Sequence, residues 1–316
     1  MSDHPVLTGL PDEMSEQAAT AFNTLRGGPD WQISPHVSVP ALSKAALFIL
    51  VKDEADMIGQ NLRHHYQLGF RRFFILVLDN NSTDGTTDII MQFRQDHPDA
   101  GVFCALDYQV AYYQASKMKA LEQFMLLYLE HDEIPVEWVF FVDADELITC
   151  CTRNADQSAE TFNAMLEDPA VSMLVFHWAQ AALVSPEGYP VPFGPTLNDT
   201  PVAVWPTMKV RVTKVAYRLR QGLSPVTGNH FVEQFKQPAS AIRIMIESGF
   251  CILHFPMRSK EQIQKKIVNG FNALQASNQP DYVGEHWRTY YSWYKQGGDN
   301  VLMGLLRDHI RSCIRP

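Results

Sequence analysis

The sequence predicts an α/β protein built on a Rossmann-like, mostly parallel sheet flanked by helices, with an irregular second half and C-terminal helices. Three observations predict it. Short apolar runs between residues 45 and 142 are continuous rather than alternating, as strands covered on both faces require. Longer amphipathic segments separate them, the pattern of βα units. With 316 residues, 46% of them apolar, the chain can bury a core in one large domain or two small ones.

Residues 1–42 read as an N-terminal extension, a polar stretch punctuated by Gly27-Gly28-Pro29, Pro35 and Pro40, with one short helix around Glu13 to Leu25. The first strand is Ala45 to Val51. A helix from Glu54 to Leu68 follows, with Ile58, Leu62, His65 and Tyr66 near helical spacing and Gly69 as its stop. The second strand, Phe73 to Leu78, ends on Asp79. The loop Asn80 to Gly85 opens a helix that runs to His97 and is ended by Pro98. The third strand is Gly101 to Leu106, and a long helix spans Gln114 to His131. The fourth strand, Trp138 to Val142, delivers Asp143-Ala144-Asp145-Glu146. Residues 43–150 therefore form a core whose loops gather at one sheet edge, where ligands bind in such folds.

Residues 151–258 read as a second part of the same domain. They hold strands at Val171 to Phe176, Met208 to Val215 and Gly249 to Phe255, and a Pro-rich loop from Ser185 to Pro206. Residues 259–316 are a helical segment, Ser259 to Ala276 and Glu285 to about Ile310.

With 26 Lys+Arg against 35 Asp+Glu, the net charge is −9, which argues against a nucleic-acid partner. No run of about eighteen apolar residues exists to span a bilayer. Met1 to Pro11 shows no basic-then-apolar secretory pattern. The five cysteines lack CxxC spacing and fit a reducing compartment, and Cys150-Cys151 read as small residues closing a strand-turn. The expected location is cytoplasmic, with peripheral contact at the inner face of a membrane left open. The aromatic stripe of the C-terminal helix reads as core or oligomer contact in preference to a membrane face. No oligomeric state follows from these features.

The sharpest motif is Asp143-Ala144-Asp145 directly after a strand. Two carboxylates one residue apart, leaving a sheet edge, can share a divalent cation, Mn²⁺ or Mg²⁺, and the sugar diphosphate bound to it. The bland alternative is a solvated acidic turn in which Asp145 caps a following helix.

The segments "VKDEADMIGQNLRHHYQLGF", "FFILVLDNNSTDGT" and "WVFFVDADELI", in that order, resemble the GT-A glycosyltransferases of the family-2 type; a weaker likeness, "HFPMRSKEQIQKK", extends it to about residue 266. The resemblance implies a metal-dependent transferase that moves a sugar from a nucleoside-diphosphate sugar, UDP-linked in the first instance, to a glycan, a lipid-linked acceptor or another hydroxyl, with inversion. It assigns Lys52, Glu54, Asp79, Lys117, Asp143, Ala144, Arg258 and Lys260 to the nucleotide-sugar, and Asp143, Asp145 and His254 to the metal, with His230 as the alternative histidine. Asp79 at its strand end offers an acceptor to a uracil imide or a ribose hydroxyl. Asp53 reads equally as a helix cap, Ser82 to Gly85 as scaffold, and Lys117 as a surface lysine or a phosphate contact. His177 stands third among the histidines, facing the acceptor. Ser259 and Gln262 form a capping box beside Arg258 and Lys260, where a diphosphate would be stabilised.

No motif marks the catalytic base; Glu187, Asp199 and Glu233 are the candidates. Tyr189, Phe193 and Trp205 make the Pro-rich loop a candidate acceptor lid. Competing expectations are an inactive GT-A-fold scaffold or binding protein and a sugar-phosphate nucleotidyltransferase. The latter would carry a Gly-rich basic loop where this chain has Lys52-Asp53-Glu54-Ala55.

Overall fold

Strand β2 (Ala45–Val51) is buried at all seven positions, as its unbroken apolar run requires. The computed structural model describes residues 9–34, 36–77, 82–108, 114–129, 135–219, 225–226, 229–232, 235–277 and 284–314. β2 pairs in parallel with β3 (Arg72–Val77) on one side and β5 (Trp138–Asp143) on the other, and β3 pairs with β4 (Gly101–Leu106). The order β4-β3-β2-β5 reverses direction between β2 and β5, and that reversal opens the crevice where ligands bind in such sheets.

Alternation along β2 divides the core. Leu47 and Ile49 pack with Ile58 and Leu62 of α2 (Ile58–Leu68) and with Ile90 and Phe93 of α3 (Thr86–Asp96). Ala46 and Phe48 face Met118, Leu121 and Met125 of α4 (Gln114–Leu129). Phe48 meets Phe74 and Phe141 edge-on, with centroids 5.4 and 5.2 Å away. Truncating a ring so placed costs about 3–5 kcal/mol.

The remaining strands complete a mixed sheet. β6 (Glu146–Thr152) lies antiparallel between β1 (Trp31–Ser34) and β11 (Phe250–His254). The eleven-residue β7 (Met173–Leu183) is the spine of this half. It pairs with β9 (Lys209–Arg218) and β8 (Val202–Val204) on one side, and with β10 (Ile242–Ile244) and β11 on the other. Antiparallel pairs enter here because turns and loops, not crossover helices, connect several of these strands. The register sets His254 opposite both Glu146 and Gln180, beside the turn that leaves β5.

Helix α1 (Asp12–Gly27) belongs to the segment read as an extension. It inserts Ala18 and Phe22 against Leu147, Cys151, Cys251 and Leu253. Helix α5 (Ala155–Glu167) covers the opposite face through Phe162 and Leu166. Helices α6 (Lys260–Gln275) and α8 (Asp299–Ile314) pack Ile263, Ile267, Leu302 and Leu306 on Ala182 of β7 and on Val184 just beyond it.

Several local expectations are corrected. The first helix starts at Ile58 rather than Glu54, because residues 52–57 form a turn in which the Glu54 carbonyl accepts from Met57 and Ile58 N–H groups. Asp53 is therefore no helix cap. Asp145 caps none either, since β6 follows it. Cys150 and Cys151 lie within β6, and the Cys151 Sγ faces the Cys251 Sγ at 3.0 Å. The long C-terminal helix is two, α7 (Glu285–Gly297) and α8, broken at Gly298 with φ 54°. Among the described residues no helix is long and apolar enough to cross a membrane.

Candidate functional site

Where β2 ends, Asp53 adopts φ 51°, a left-handed conformation that aspartate tolerates better than most residues. Hydrogen bonds hold it there. Its N–H donates to Ser82 Oγ at 3.0 Å, and its Oδ1 accepts from the Thr83 N–H and hydroxyl at 2.7 and 3.1 Å. Its Oδ2 accepts from Asn269 of α6 at 3.0 Å. Thr86 Oγ1 accepts from the Glu54 N–H at 3.0 Å and donates to Asp84 at 2.6 Å. Ser82, Thr83, Asp84 and Thr86 are thus a scaffold that shapes the exit of β2 and aims Glu54.

Asp143-Ala144-Asp145-Glu146 is the turn between β5 and β6. Asn61 of α2, fully buried, donates its amide to the carbonyls of Asp143, Ala144 and Glu146 at 3.2, 3.0 and 2.9 Å. Behind it, His65 Nε2 accepts from the Ile148 N–H at 3.2 Å, so Nδ1 carries the proton and donates to Asn61 Oδ1 at 3.0 Å. His64 Nε2 donates to the Ile148 carbonyl at 2.8 Å. The two histidines occupy the backbone of β6 where β1 has ended, and they take opposite tautomers.

Burial pushes the His64 imidazole down to about 4 from its ordinary 6.5. A depressed histidine contributes its stability in full above about pH 6.5, and that contribution is lost as pH falls through the folded value. A shift of this size corresponds to about 3 kcal/mol. Urea midpoints measured from pH 7 to pH 4 are expected to fall, and more steeply in the native chain than in His64→Gln, whose amide still donates but does not titrate. Equal slopes would refute the assignment.

Three cations meet the carboxylates. Lys214 of β9, 2% exposed, contacts Asp143 Oδ2 at 2.8 Å and Glu146 Oε1 at 3.5 Å. Arg258, 3% exposed, pairs with Glu54 and grips Asp56 through two bonds of 2.8 and 2.9 Å. Lys266 of α6 pairs with Asp145 Oδ2. Burial alone would raise the Asp145 carboxyl; Lys266, His254 and Arg258 outweigh it and hold it well below the usual carboxylate range. Burial pushes Glu54 up to about 7 despite Arg258 beside it.

His254 Nε2 stands 3.6 Å from Asp145 Oδ2. Its ring lies 4.2 Å from that of Trp178, and its Nδ1 meets Gln180 Nε2 at 3.0 Å. His230 meets Trp178 edge-on, with ring centroids 6.0 Å apart, and its Nδ1 donates to the Thr213 carbonyl at 2.6 Å. The Trp178 indole N–H is buried without a hydrogen-bond partner among the described residues.

A divalent cation suits this donor set. Asp145 and His254 are spaced as two ligands of one ion. Turning over the Gln180 amide would let it accept from Nδ1–H and free the Nε2 lone pair. Five carboxylates, Glu54, Asp56, Asp143, Asp145 and Glu146, meet three cations, and burial raises Glu146 as well as Glu54, so protons on those two take up part of the negative charge. No group of three or more His, Cys, Asp or Glu forms a complete cage among the described residues. Phosphate oxygens and water usually fill the remaining positions around Mg²⁺.

The other assigned residues scatter. Lys52 follows β2 directly, and Ala144 is buried in the turn. Lys117 pairs with Asp107 at 2.7 Å, and Lys260 with Asp299 of α8 at 2.8 Å. Asp199 accepts from Thr196 at 2.7 Å within the Pro-rich loop, and Glu187 is exposed on the same loop; no described contact brings either to the cluster. His177 is sealed at 0% exposure and pushed down to about 4 by burial, which removes it from an acceptor-facing role. Asp79 and Glu233 lie outside the described residues. Asn61, Trp178, Lys214, Lys266 and Asn269 were not legible as site residues. Lys214 did leave a signal: it shares strand parity with the buried Ala216, where an unpaired lysine would be costly.

No family model and no curated protein matches the chain. Among solved structures it is similar to S. aureus TarS 1-349, at 14% identity, covering 80% of this chain and 73% of that one with a TM-score of 0.37. It is also similar to the mannosyltransferase PcManGT from Pyrobaculum calidifontis in complex with GDP-Man and Mn²⁺, at 13% identity, covering 96% and 95% with a TM-score of 0.33.

Proposed function

We propose that the chain is a glycosyltransferase of GT-A type that takes its sugar from a nucleoside-diphosphate donor, UDP-linked in the first instance, and transfers it with inversion to a hydroxyl acceptor. One observation carries this reading: at the strand ends beside the β2/β5 crevice, Asp145 and His254 face each other at 3.6 Å with Arg258 and Lys266 on the same carboxylate. On this reading the nucleotide would lie on the Asp53–Glu54 side of that crevice and its diphosphate at the turn.

Asp143, Asp145 and His254 would hold a divalent cation. When bound, that cation offsets the charge developing on the departing diphosphate. Arg258 fixes Glu54 and Asp56, so the exit of β2 keeps its shape when the donor enters. Asn61 holds the carbonyls of the turn and thereby the direction of both aspartates. The acceptor proton goes to a carboxylate on the second half; alanine at Glu187, Asp199 and Glu233 in turn, read as lost transfer with donor hydrolysis kept, identifies it.

The test is a thermal-shift panel of UDP-, GDP-, dTDP- and CMP-sugars with Mn²⁺ and with EDTA. One nucleoside-diphosphate class is expected to raise Tm in the presence of Mn²⁺, since saturation at a hundred times Kd adds about 2.7 kcal/mol. A flat panel would sink the reading.

A further inference from the structure

Among the described residues three cations touch the carboxylate cluster, and of these Lys266 is the most exposed. The Lys214 and Arg258 side chains are 2% and 3% exposed, whereas Lys266 is 25% exposed. The first two are sealed counter-ions.

Helix α6 places the third. Ile263 and Ile267 are buried against β7 and α8 and fix the rotation of the helix. Its polar face then reaches all three loops of the crevice: Lys265 to Asp84 at 3.2 Å, Asn269 to Asp53 at 3.0 Å, and Lys266 to Asp145. Asp145 Oδ2 is crowded, with His254 at 3.6 Å and Arg258 at 3.8 Å besides Lys266. Were a divalent cation held on that oxygen, the Lys266 ammonium would be repelled from it and, on its four-carbon stem, could reach the nearest new anion.

We propose that Lys266 is a catalytic residue that exchanges Asp145 for the donor's diphosphate. It neutralises the carboxylate before a cation arrives and contacts a β-phosphate oxygen once the donor is bound. This rests on the nucleotide-sugar reading above. An ammonium suits the role, because it meets phosphate as a point charge from any direction.

The experiment compares the full-length native chain with Lys266→Met, Lys266→Gln and Lys266→Arg. Three kinds of affinity are read: for Mn²⁺ alone, by electron paramagnetic resonance; for the diphosphates UDP, GDP and dTDP, and for the monophosphates UMP, GMP and dTMP, by calorimetry with Mn²⁺. Loss of one charge-assisted hydrogen bond predicts diphosphate binding weakened roughly 10- to 100-fold in Lys266→Met and Lys266→Gln. Monophosphate binding stays within about twofold, Mn²⁺ binding is unchanged or tighter, and Lys266→Arg recovers most of the diphosphate affinity. Equal weakening of di- and monophosphate, weaker Mn²⁺ binding, or no change in any affinity would overturn the proposal, leaving Lys266 a structural counter-ion. If the native chain binds none of UDP, GDP and dTDP with Mn²⁺, the nucleotide-sugar reading falls, and the role of Lys266 with it.

Discussion

Replacing Arg258 with methionine is expected to lower folding stability by about 3–5 kcal/mol, the usual cost of removing one partner from a buried ion pair. Arg258 is 3% exposed and bonded to Glu54, to both oxygens of Asp56 and to the Phe255 carbonyl. Its loss strands Glu54 in a buried environment. Asp56, 44% exposed, regains water. The double variant Glu54→Gln/Arg258→Met is therefore expected to recover most of the stability, because it removes both buried charges, but to recover none of the donor binding. Urea titrations of the single and double variants measure the first effect, and nucleotide thermal shifts the second. A double variant as unstable as Arg258→Met would place the loss in packing of the arginine stem.

The second large effect is at Asp145. Asp145→Asn keeps the shape of the side chain and the backbone bond from the Phe255 N–H to the Asp145 carbonyl, 2.9 Å. It removes the charge that Lys266, Arg258 and His254 share. Outer partners of a metal site are worth roughly 10- to 100-fold in affinity or activity, and a ligand itself exceeds that. Mn²⁺ affinity and turnover are both expected to fall by more than about 100-fold. Asp143→Asn should do less to cation binding, because Asp143 is 34% exposed and its oxygen is already on Lys214. Equal losses at the two positions would mean that they act as one chelating pair.

The parallel half was legible because each strand is an unbroken apolar run between turn residues; Gly101 to Leu106 matches β4 residue for residue. β6 was not, because Glu146-Leu147-Ile148-Thr149-Cys150-Cys151-Thr152 mixes polar and sulfur-bearing residues that become buried only when β1, β11 and α2, all distant in sequence, pack around them. The motif Asp143-Ala144-Asp145 and the isolated His254 stood out because carboxylates and imidazoles at strand ends have few other uses. Asn61 and Lys266 did not. Each sits on an amphipathic helix, where a polar residue is expected for solvent alone, and only the docking of α2 and α6 reveals what it meets. The pair Gly297-Gly298, an interruption inside an aromatic helical pattern, carried the break between α7 and α8.

The bonds that close the site span most of the chain: Arg258 reaches Glu54 across 204 positions, and Asn269 reaches Asp53 across 216. Synthesis at roughly 5–20 residues per second puts about 10–40 s between the appearance of the two partners in the nascent chain. During that interval the parallel strands can pair while Glu54 and Asp145 still lack their cations. Ligand binding thus becomes a late report of a finished fold, and a pulse-labelled chain should gain nucleotide affinity only after α6 has emerged.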